Sequence, residues 1–300
     1  MTPILALAFV LAAAPPTPAV GPGECAVFAP LNGPEIVVGG DECSRRTLPA
    51  STFKIPHALV ALQTHVVTDG TVIKWDGVTR DFPAWNRDQT LASAIRMSAV
   101  WVFQQFAVAI GRERELEHLR AFHYGSATFA HDVTNFWLNG DLEISPLEQI
   151  TFLRRLFSYD LPVERRHIDT VKADLAMPRG KIVNAAGEHD FPLRWPADTI
   201  VRVKTGNGTV SGEHVSWIVG ELESGGGQYL FAVRKRATAL DMFAAADLAA
   251  RVLNAFVPRQ NGVPQACRMV APRTSRKAVL AAYAPDDSPV LPMVSPAASR

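Results

Sequence analysis

The chain has 300 residues, of which 48% are hydrophobic, and this is enough to bury a large core in one domain or in a domain with a subdomain. Thirty basic side chains against 29 acidic ones give a formal net charge of +1, so no overall field attracts nucleic acid or an anionic membrane. The composition therefore excludes a largely disordered chain and favours a small-molecule partner.

The first residues have the pattern of a secretory leader. An apolar run, Ile4 to Ala14, is followed by proline and small residues, although no lysine or arginine precedes it. The run is too short to span a bilayer, so we predict a leader over residues 1–19 and a soluble, exported protein after its removal.

The residues after the leader predict a β-hairpin. Short apolar runs at 25–28 and 35–38 flank Leu31-Asn32-Gly33-Pro34, which is a turn signal. The chain has three cysteines, and in an oxidising compartment Cys25 can pair with Cys43, which leaves Cys267 over.

A hydroxyl and an amine stand three residues apart in the stretch Pro-Ala-Ser-Thr-Phe-Lys-Ile-Pro, residues 49–56. Pro56 fits a helix only in its first turn, so a helix is predicted to begin near Ser51 to Lys54. Residues three apart share a helix face, so Lys54 Nζ can reach Ser51 Oγ while the free amides of the first turn face an oxyanion. This geometry predicts an activated serine nucleophile with a lysine base. Because about one Ser-x-x-Lys arises by chance in a chain this long, the remaining residues must decide.

Helical periodicity runs from residue 90 to 122, with breaks at Ser98 and Gly111. At the first break, Ser98 can project into a cleft with Val100 packed beside it, or it can be an ordinary helix cap. The later sequence Ser145-Pro146-Leu147-Glu148 is a capping box with proline at the first helical position, which predicts a helix from Pro146.

After a helix predicted over residues 162–177, the pattern becomes that of strands. Strands are predicted at 200–204, 215–222 and 228–233, the last two joined by the glycine turn at 224–227. An alanine-rich helix over 240–256 would cover this sheet, and the Pro/Ala-rich residues 259–300 predict a disordered tail. The predicted fold class is therefore α+β in one catalytic domain, residues 20–258: an antiparallel sheet flanked by N- and C-terminal helices, with an all-helical subdomain inserted and the site between them.

Lys204-Thr205-Gly206, at the end of the first of these strands, completes an ordered set of Ser-x-x-Lys, a serine at a helix junction and Lys-Thr-Gly. This set resembles that of serine β-lactamases and penicillin-binding proteins. From about Cys43 to Pro258 the chain is similar to the class D β-lactamases, the oxacillinases. The motifs that carry this likeness are the Ser51 stretch, Ser98-Ala99-Val100, Trp85-Asn86-Arg87-Asp88-Gln89-Thr90, Tyr124-Gly125 and Phe136-Trp137-Leu138 with Ile144-Ser145-Pro146.

The resemblance implies a bacterial enzyme, periplasmic or secreted, that confers antibiotic resistance by hydrolysing penicillin-like lactams through an acyl-enzyme. It implies Ser51 as nucleophile and Lys54, carboxylated by carbon dioxide to N6-carboxylysine, as base for acylation and deacylation, with no metal and no other cofactor. The other implied roles are proton relay for Ser98, substrate-carboxylate binding for Lys204 and Thr205, the oxyanion hole for the amides of Ser51 and Asn207, further substrate contacts for Trp85, Tyr124 and Gly206, and the carbamate pocket for Phe53, Val100, Trp137 and Leu138. Trp137 can donate its indole hydrogen to the carbamate.

Two positions depart from the family pattern. Ser126 stands where asparagine is common, and Phe243 stands where many relatives have a carboxylate-binding arginine. Arg234 and Arg236 share one face of a strand and are candidate replacements for that cation. Their segment has the character of a mobile loop, so we expect weak anchoring of the substrate carboxylate.

Two other functions stay open. A β-lactam sensor would keep the drug bound and signal across a membrane, which calls for membrane spans where this chain has a leader. A transpeptidase or carboxypeptidase would act on cell-wall peptides, and the Ser-Ala-Val junction and the tryptophan loop argue against it. The expected partner is a small-molecule β-lactam, with no nucleic acid and, once the leader is removed, no membrane; a homodimer is the one assembly left open.

Overall fold

The computed structural model describes residues 18–130 and 132–257. The predicted leader, apart from residues 18 and 19, and the predicted tail lie outside these residues. The described strands are β1 (Glu24–Pro30), β2 (Ile36–Val38), β3 (Lys181–Asn184), β4 (Gly187–Asp190), β5 (Ile200–Val210), β6 (Glu213–Ser224) and β7 (Gly227–Ala237). The described helices are α1 (Lys54–Gln63), α2 (Leu91–Arg96), α3 (Val100–Ile110), α4 (Arg112–Phe122), α5 (Pro146–Phe157), α6 (Arg165–Asp174) and α7 (Ala244–Leu253).

The main sheet is antiparallel and has the strand order β2-β1-β7-β6-β5. Its N-terminal hairpin, the helix breaks at Ser98 and Gly111 and the helix start at Pro146 lie where the sequence predicts them. Cys25 and Cys43, whose pairing the sequence left open, form a disulfide that ties β1 to a short 3₁₀ turn, Gly40–Cys43. The α+β class with an inserted helical subdomain is confirmed.

The sheet separates two hydrophobic cores, because alternate residues of each strand point to opposite faces. Val215, Trp217 and Val219 of β6 face the core of α1, α3 and α5, whereas Ile218 and Leu222 face the core of α7. Strand β5 lies at the free edge of the sheet and packs against the chain just before α1. The fold therefore brings the Lys-Thr-Gly edge strand to the Ser-x-x-Lys helix start.

Several boundaries differ from the prediction, and strand β5 continues beyond the predicted residue 204 to Val210. Strand β7 continues beyond Val233 to Ala237 because β6 continues beside it, with Val215 opposite Arg236. Helices α6 and α7 are shorter than predicted, at 10 residues each. The two-stranded ribbon of β3 and β4 was missed, because Lys181–Asn184 and Gly187–Asp190 are only four residues each and β4 has no buried residue.

Candidate active site

Ser51 and Lys54 lie at the start of α1, where a 3₁₀ turn, Ala50–Phe53, leads into the helix. Lys54 Nζ donates a hydrogen bond of 2.9 Å to Ser51 Oγ. The contact arises locally, because one helical turn separates the two residues. A serine hydroxyl in contact with an amine is the arrangement that activates serine as a nucleophile.

The amine of Lys54 is fully buried and lies 5.1 Å from the centre of the Phe103 ring. Burial, and then the positive charge of Lys204, holds the pKa of Lys54 well below its ordinary value. No carboxylate among the described residues contributes to this shift. The site therefore favours a neutral lysine, which can accept a proton.

Ser98 lies in the junction between α2 and α3 and has a φ of 56°, a left-handed conformation that is uncommon for serine. This backbone conformation belongs to the junction that aims the hydroxyl at β5. Ser98 Oγ accepts a hydrogen bond of 2.8 Å from Lys204 Nζ, which also donates to Thr205 O at 2.9 Å. Burial lowers the pKa of Lys204 to about 7, so this amine can exchange a proton near neutral pH.

Gly206 is needed because β5 passes very close to the turn that carries Ser51. A Cβ atom on Gly206 would lie 3.1 Å from Ser51 N and 3.0 Å from Thr52 N. The close approach places the Lys-Thr-Gly strand beside the first-turn amides. The cleft that results is lined by Ser51, Phe82, Trp85, Ser98, Val100, Leu138, Asn184, Ala185, Thr205, Asn207 and Met242.

An aromatic cluster forms the wall behind this cleft. The rings of Phe53 and Trp137 stack with their centres 5.5 Å apart, and both are fully buried. The buried indole Nε1 of Trp137 has no hydrogen-bond partner among the described residues. A buried donor without an acceptor is costly, so this cluster suits a group that brings an acceptor.

The same wall contains a buried acid–base pair that the sequence analysis missed. His57 Nε2 lies 3.5 Å from Glu115 Oε2, and both side chains are almost fully buried. The His57 ring packs at 5.1 Å from Phe53 and 5.5 Å from Trp137. Burial holds the pKa of His57 well below its ordinary value and raises that of Glu115, so burial favours the neutral form of both groups. The two residues stand on different helices, and no local pattern links them.

Three of the side chains that were predicted to contact the substrate lie outside the cleft. Tyr124 is fully buried behind the Ser51 turn, where its hydroxyl lies 3.5 Å from Gln149 Nε2 and its ring packs edge-on against Phe53. The neighbouring Ser126 is also not among the residues that line the cleft, and it accepts a hydrogen bond from Glu143 N. Tyr124 is thus a packing residue of the helical subdomain.

Arg234 and Arg236 are the other two predicted substrate contacts that lie outside the cleft. They belong to a strand and not to a mobile loop. Both belong to β7, which is separated from β5 by β6. Arg234 is fully buried and donates to Glu42 Oε2 at 2.9 Å and to the carbonyl of Arg45 at 2.5 Å. Arg236 is bound to Glu42 and Glu213. The two arginines share one face of the strand as predicted, but their charges are paired with Glu42 and Glu213 within the fold.

Arg234→Ala should therefore lower stability and leave substrate binding unchanged. The substitution removes one of the two β7 arginines bound to Glu42 and leaves the carbonyls of Glu42 and Arg45 without this donor, so we expect a loss of about 3 kcal/mol in the free energy of unfolding. Thermal or urea unfolding measures the loss, and steady-state kinetics measures the Michaelis constant. Arg236→Ala, in a more exposed position, is the control and should cost less. A Michaelis constant raised tenfold by Arg234→Ala would return this residue to the substrate site.

Four residues that line the cleft were not predicted to do so: Phe82, Asn184, Ala185 and Met242. Phe82 packs on Trp85 with ring centres 4.9 Å apart, so the aromatic loop was the available signal for it. Asn184 and Ala185 come from the ribbon that the strand pattern did not reveal. Met242, two residues before α7, lines the cleft, whereas Phe243 does not.

The arrangement of these groups defines a class of protein, an acyl-transfer protein with a serine nucleophile, a buried lysine base and a second serine–lysine pair across the cleft. The described residues contain no group of three or more His, Cys, Asp or Glu side chains that could hold a metal ion. None of their helices has both the length and the apolar character needed to cross a membrane.

Comparison with known proteins agrees with this class. The penicillin-binding protein transpeptidase domain matches residues 37–257. Beta-lactamase OXA-48 of Klebsiella pneumoniae is 41% identical over 187 residues, which cover 62% of this chain and 64% of that relative. The crystal structure of the class D β-lactamase YbXI from Nostoc has a TM-score of 0.68 at 32% identity, over 77% of this chain and 92% of that one. This chain belongs to the class D β-lactamase family.

A further relative has a different named role. Regulatory protein BlaR1 of Bacillus licheniformis is 31% identical over 196 residues, which cover 64% of this chain and 30% of that protein. The chain thus spans less than two thirds of the length of either curated relative.

Proposed function

We propose that this protein hydrolyses the β-lactam amide bond of penicillin-like antibiotics through an acyl-enzyme on Ser51, and so confers resistance to them. The observation that carries the proposal is the contact of Ser51 Oγ with the buried amine of Lys54, 2.9 Å away. The second pair, Lys204 with Ser98, stands across the same cleft and completes the set of proton-transfer groups.

In acylation, Ser51 Oγ bonds to the lactam carbonyl carbon and its proton passes to the base on Lys54. The backbone amides of Ser51 and Asn207 stabilise the negative oxygen that develops, and one such donor is worth about 3 to 4 kcal/mol of barrier. The lactam C–N bond then breaks, and the lactam nitrogen takes a proton from Ser98 Oγ. Lys204 Nζ then gives a proton to Ser98 Oγ in its place. In deacylation, the base activates water against the ester of Ser51.

The residues around Lys54 fit its carboxylation by carbon dioxide. A carbamate forms on a neutral amine, and burial keeps Lys54 in that form. Trp137 Nε1 would donate to it, with buried Phe53 behind it and Val100 and Leu138 on the side of the cleft. When present, the carbamate supplies a carboxylate base in place of an amine.

The cleft offers few cations to the carboxylate of a penicillin. Thr205 lines the described cleft, with Lys204 buried beside it, and no arginine is among the lining residues. Because Met242 lines the cleft, Met242→Arg should lower the Michaelis constant for benzylpenicillin about tenfold, since a hydrogen bond to a charged group is worth about 1.5 to 3 kcal/mol. The control is Met242→Leu, which changes the same side chain without adding a cation. Equal constants for the two variants would contradict the expectation.

The disulfide between Cys25 and Cys43 supports an oxidising location for the protein, the bacterial periplasm or the exterior. The proposed partner is the β-lactam alone, without nucleic acid or membrane.

The similarity to a regulatory protein favours one second candidate, a sensor that is acylated and keeps the drug. A burst experiment with a chromogenic cephalosporin separates the two functions. Continued turnover after the first equivalent supports hydrolysis, whereas one equivalent of product followed by a stable adduct on Ser51 supports a sensor. A protein that forms no adduct with any lactam would overturn both.

A further inference from the structure

The β3–β4 ribbon contributes one amide side chain to the wall of the cleft. Asn184 is the last residue of β3, only 4% exposed, and it lines the cleft together with Thr205. Its Nδ2 donates to Thr205 Oγ1 at 3.3 Å, and its Oδ1 accepts from Ala186 N at 2.8 Å. The ribbon thus touches the threonine of the Lys-Thr-Gly strand directly.

The contact with Ala186 determines which way the amide faces. A backbone N–H can only donate, so the atom of Asn184 beside it must be the carbonyl oxygen. The NH₂ group therefore points at Thr205 and occupies a lone pair of the hydroxyl. Among the described residues, the Thr205 hydroxyl has no acceptor for its own proton. This proton is therefore available to an acceptor atom of a molecule that binds in the cleft.

The other strand of the ribbon holds Asn184 in this place. His189 of β4 stacks on Phe243 with ring centres 4.4 Å apart, and its Nε2 lies 2.7 Å from Asp247 Oδ1 of α7. In register, Asn184 pairs with Gly187. The ribbon is therefore fixed to the start of α7, at the end of the cleft where Met242 also stands.

We propose that Asn184 is a positioning residue that orients the Thr205 hydroxyl as a hydrogen-bond donor to the carboxylate of a β-lactam substrate. The inference rests on the proposed function. Lys204, the cation beside Thr205, has its amine bound to Ser98 and to the carbonyl of Thr205. A correctly oriented hydroxyl consequently carries a larger share of substrate recognition here.

Asn184→Asp tests this with a side chain of the same size. The new carboxylate still accepts from Ala186 N, so the turn is kept, but it also accepts from Thr205 and turns the hydroxyl proton away from the substrate. The Michaelis constant for benzylpenicillin should rise roughly ten- to a hundredfold, with kcat changed less than about threefold. In a Thr205→Val background the same substitution should raise the constant at most about threefold, from charge repulsion alone.

The methyl ester of benzylpenicillin is the matched substrate, because it lacks the negative charge, and its Michaelis constant should change no more than about twofold. Equal effects of Asn184→Asp with and without Thr205, or a loss in kcat alone, would overturn the inference. If Asn184→Asp does not fold, Asn184→Ser carries the same test, since its hydroxyl can still accept from Ala186 N and is too short to reach Thr205. If the native protein does not hydrolyse benzylpenicillin at all, it is the proposed function that fails.

Discussion

Ser51→Ala should reduce hydrolysis of benzylpenicillin by roughly 10⁴-fold or more, because it removes the hydroxyl that would form the covalent intermediate. The Lys54 amine and the Lys204–Ser98 pair would remain, but Lys54 would have lost the hydroxyl that it contacts. Steady-state hydrolysis measures the loss. Mass spectrometry of the native protein with a slowly released lactam should place the adduct on the peptide that contains Ser51.

The control for this substitution is Ser44→Ala, at an exposed serine outside the cleft, which should leave turnover unchanged. An adduct on any other peptide, or turnover by Ser51→Ala within tenfold of the native rate, would refute the nucleophile assignment.

Loss of the base should have the next largest effect. Lys54→Ala should slow deacylation by about 10²- to 10⁴-fold, the usual contribution of general base catalysis, and acyl-enzyme should accumulate. Added bicarbonate should raise the activity of the degassed native protein, since a neutral Lys54 reacts with carbon dioxide. As the pH falls, protonation of the amine competes with carboxylation, so activity is retained on the alkaline side and lost on the acid side.

Carbon-13 NMR in labelled bicarbonate gives a readout that is independent of turnover, a carbamate resonance that disappears on acidification. Trp137→Phe should weaken carbon dioxide binding about tenfold or more, because it keeps the ring and removes the only donor atom of the indole. Trp195→Phe is the matched control, since Trp195 Nε1 donates to Leu253 O in the other core. Identical kinetics with and without bicarbonate, together with no carbamate signal, would show that Lys54 acts as a free amine.

The sequence alone determined the features that depend on near neighbours. Pro56 restricts where α1 can begin, so the spacing of Ser51 and Lys54 was sufficient to place their side chains in contact. The junction at Ser98 and the helix start at Pro146 were likewise predictable, because caps and breaks involve residues within one or two turns. The resemblance to class D β-lactamases then joined these local features into one site.

Only the tertiary structure decided which distant groups meet. Lys204 reaches Ser98 across 106 positions, and Asn184 reaches Thr205 from a ribbon too short to leave a periodic pattern. Arg234 shows the converse, because strand alternation correctly predicted its face but could not show that Glu42 already binds it. A side chain's charge, hydrogen bonds and exposure are set by all the segments packed around it, so the use of Arg234, Tyr124 and Asn184 became visible only once the sheet, the ribbon and the helices were assembled.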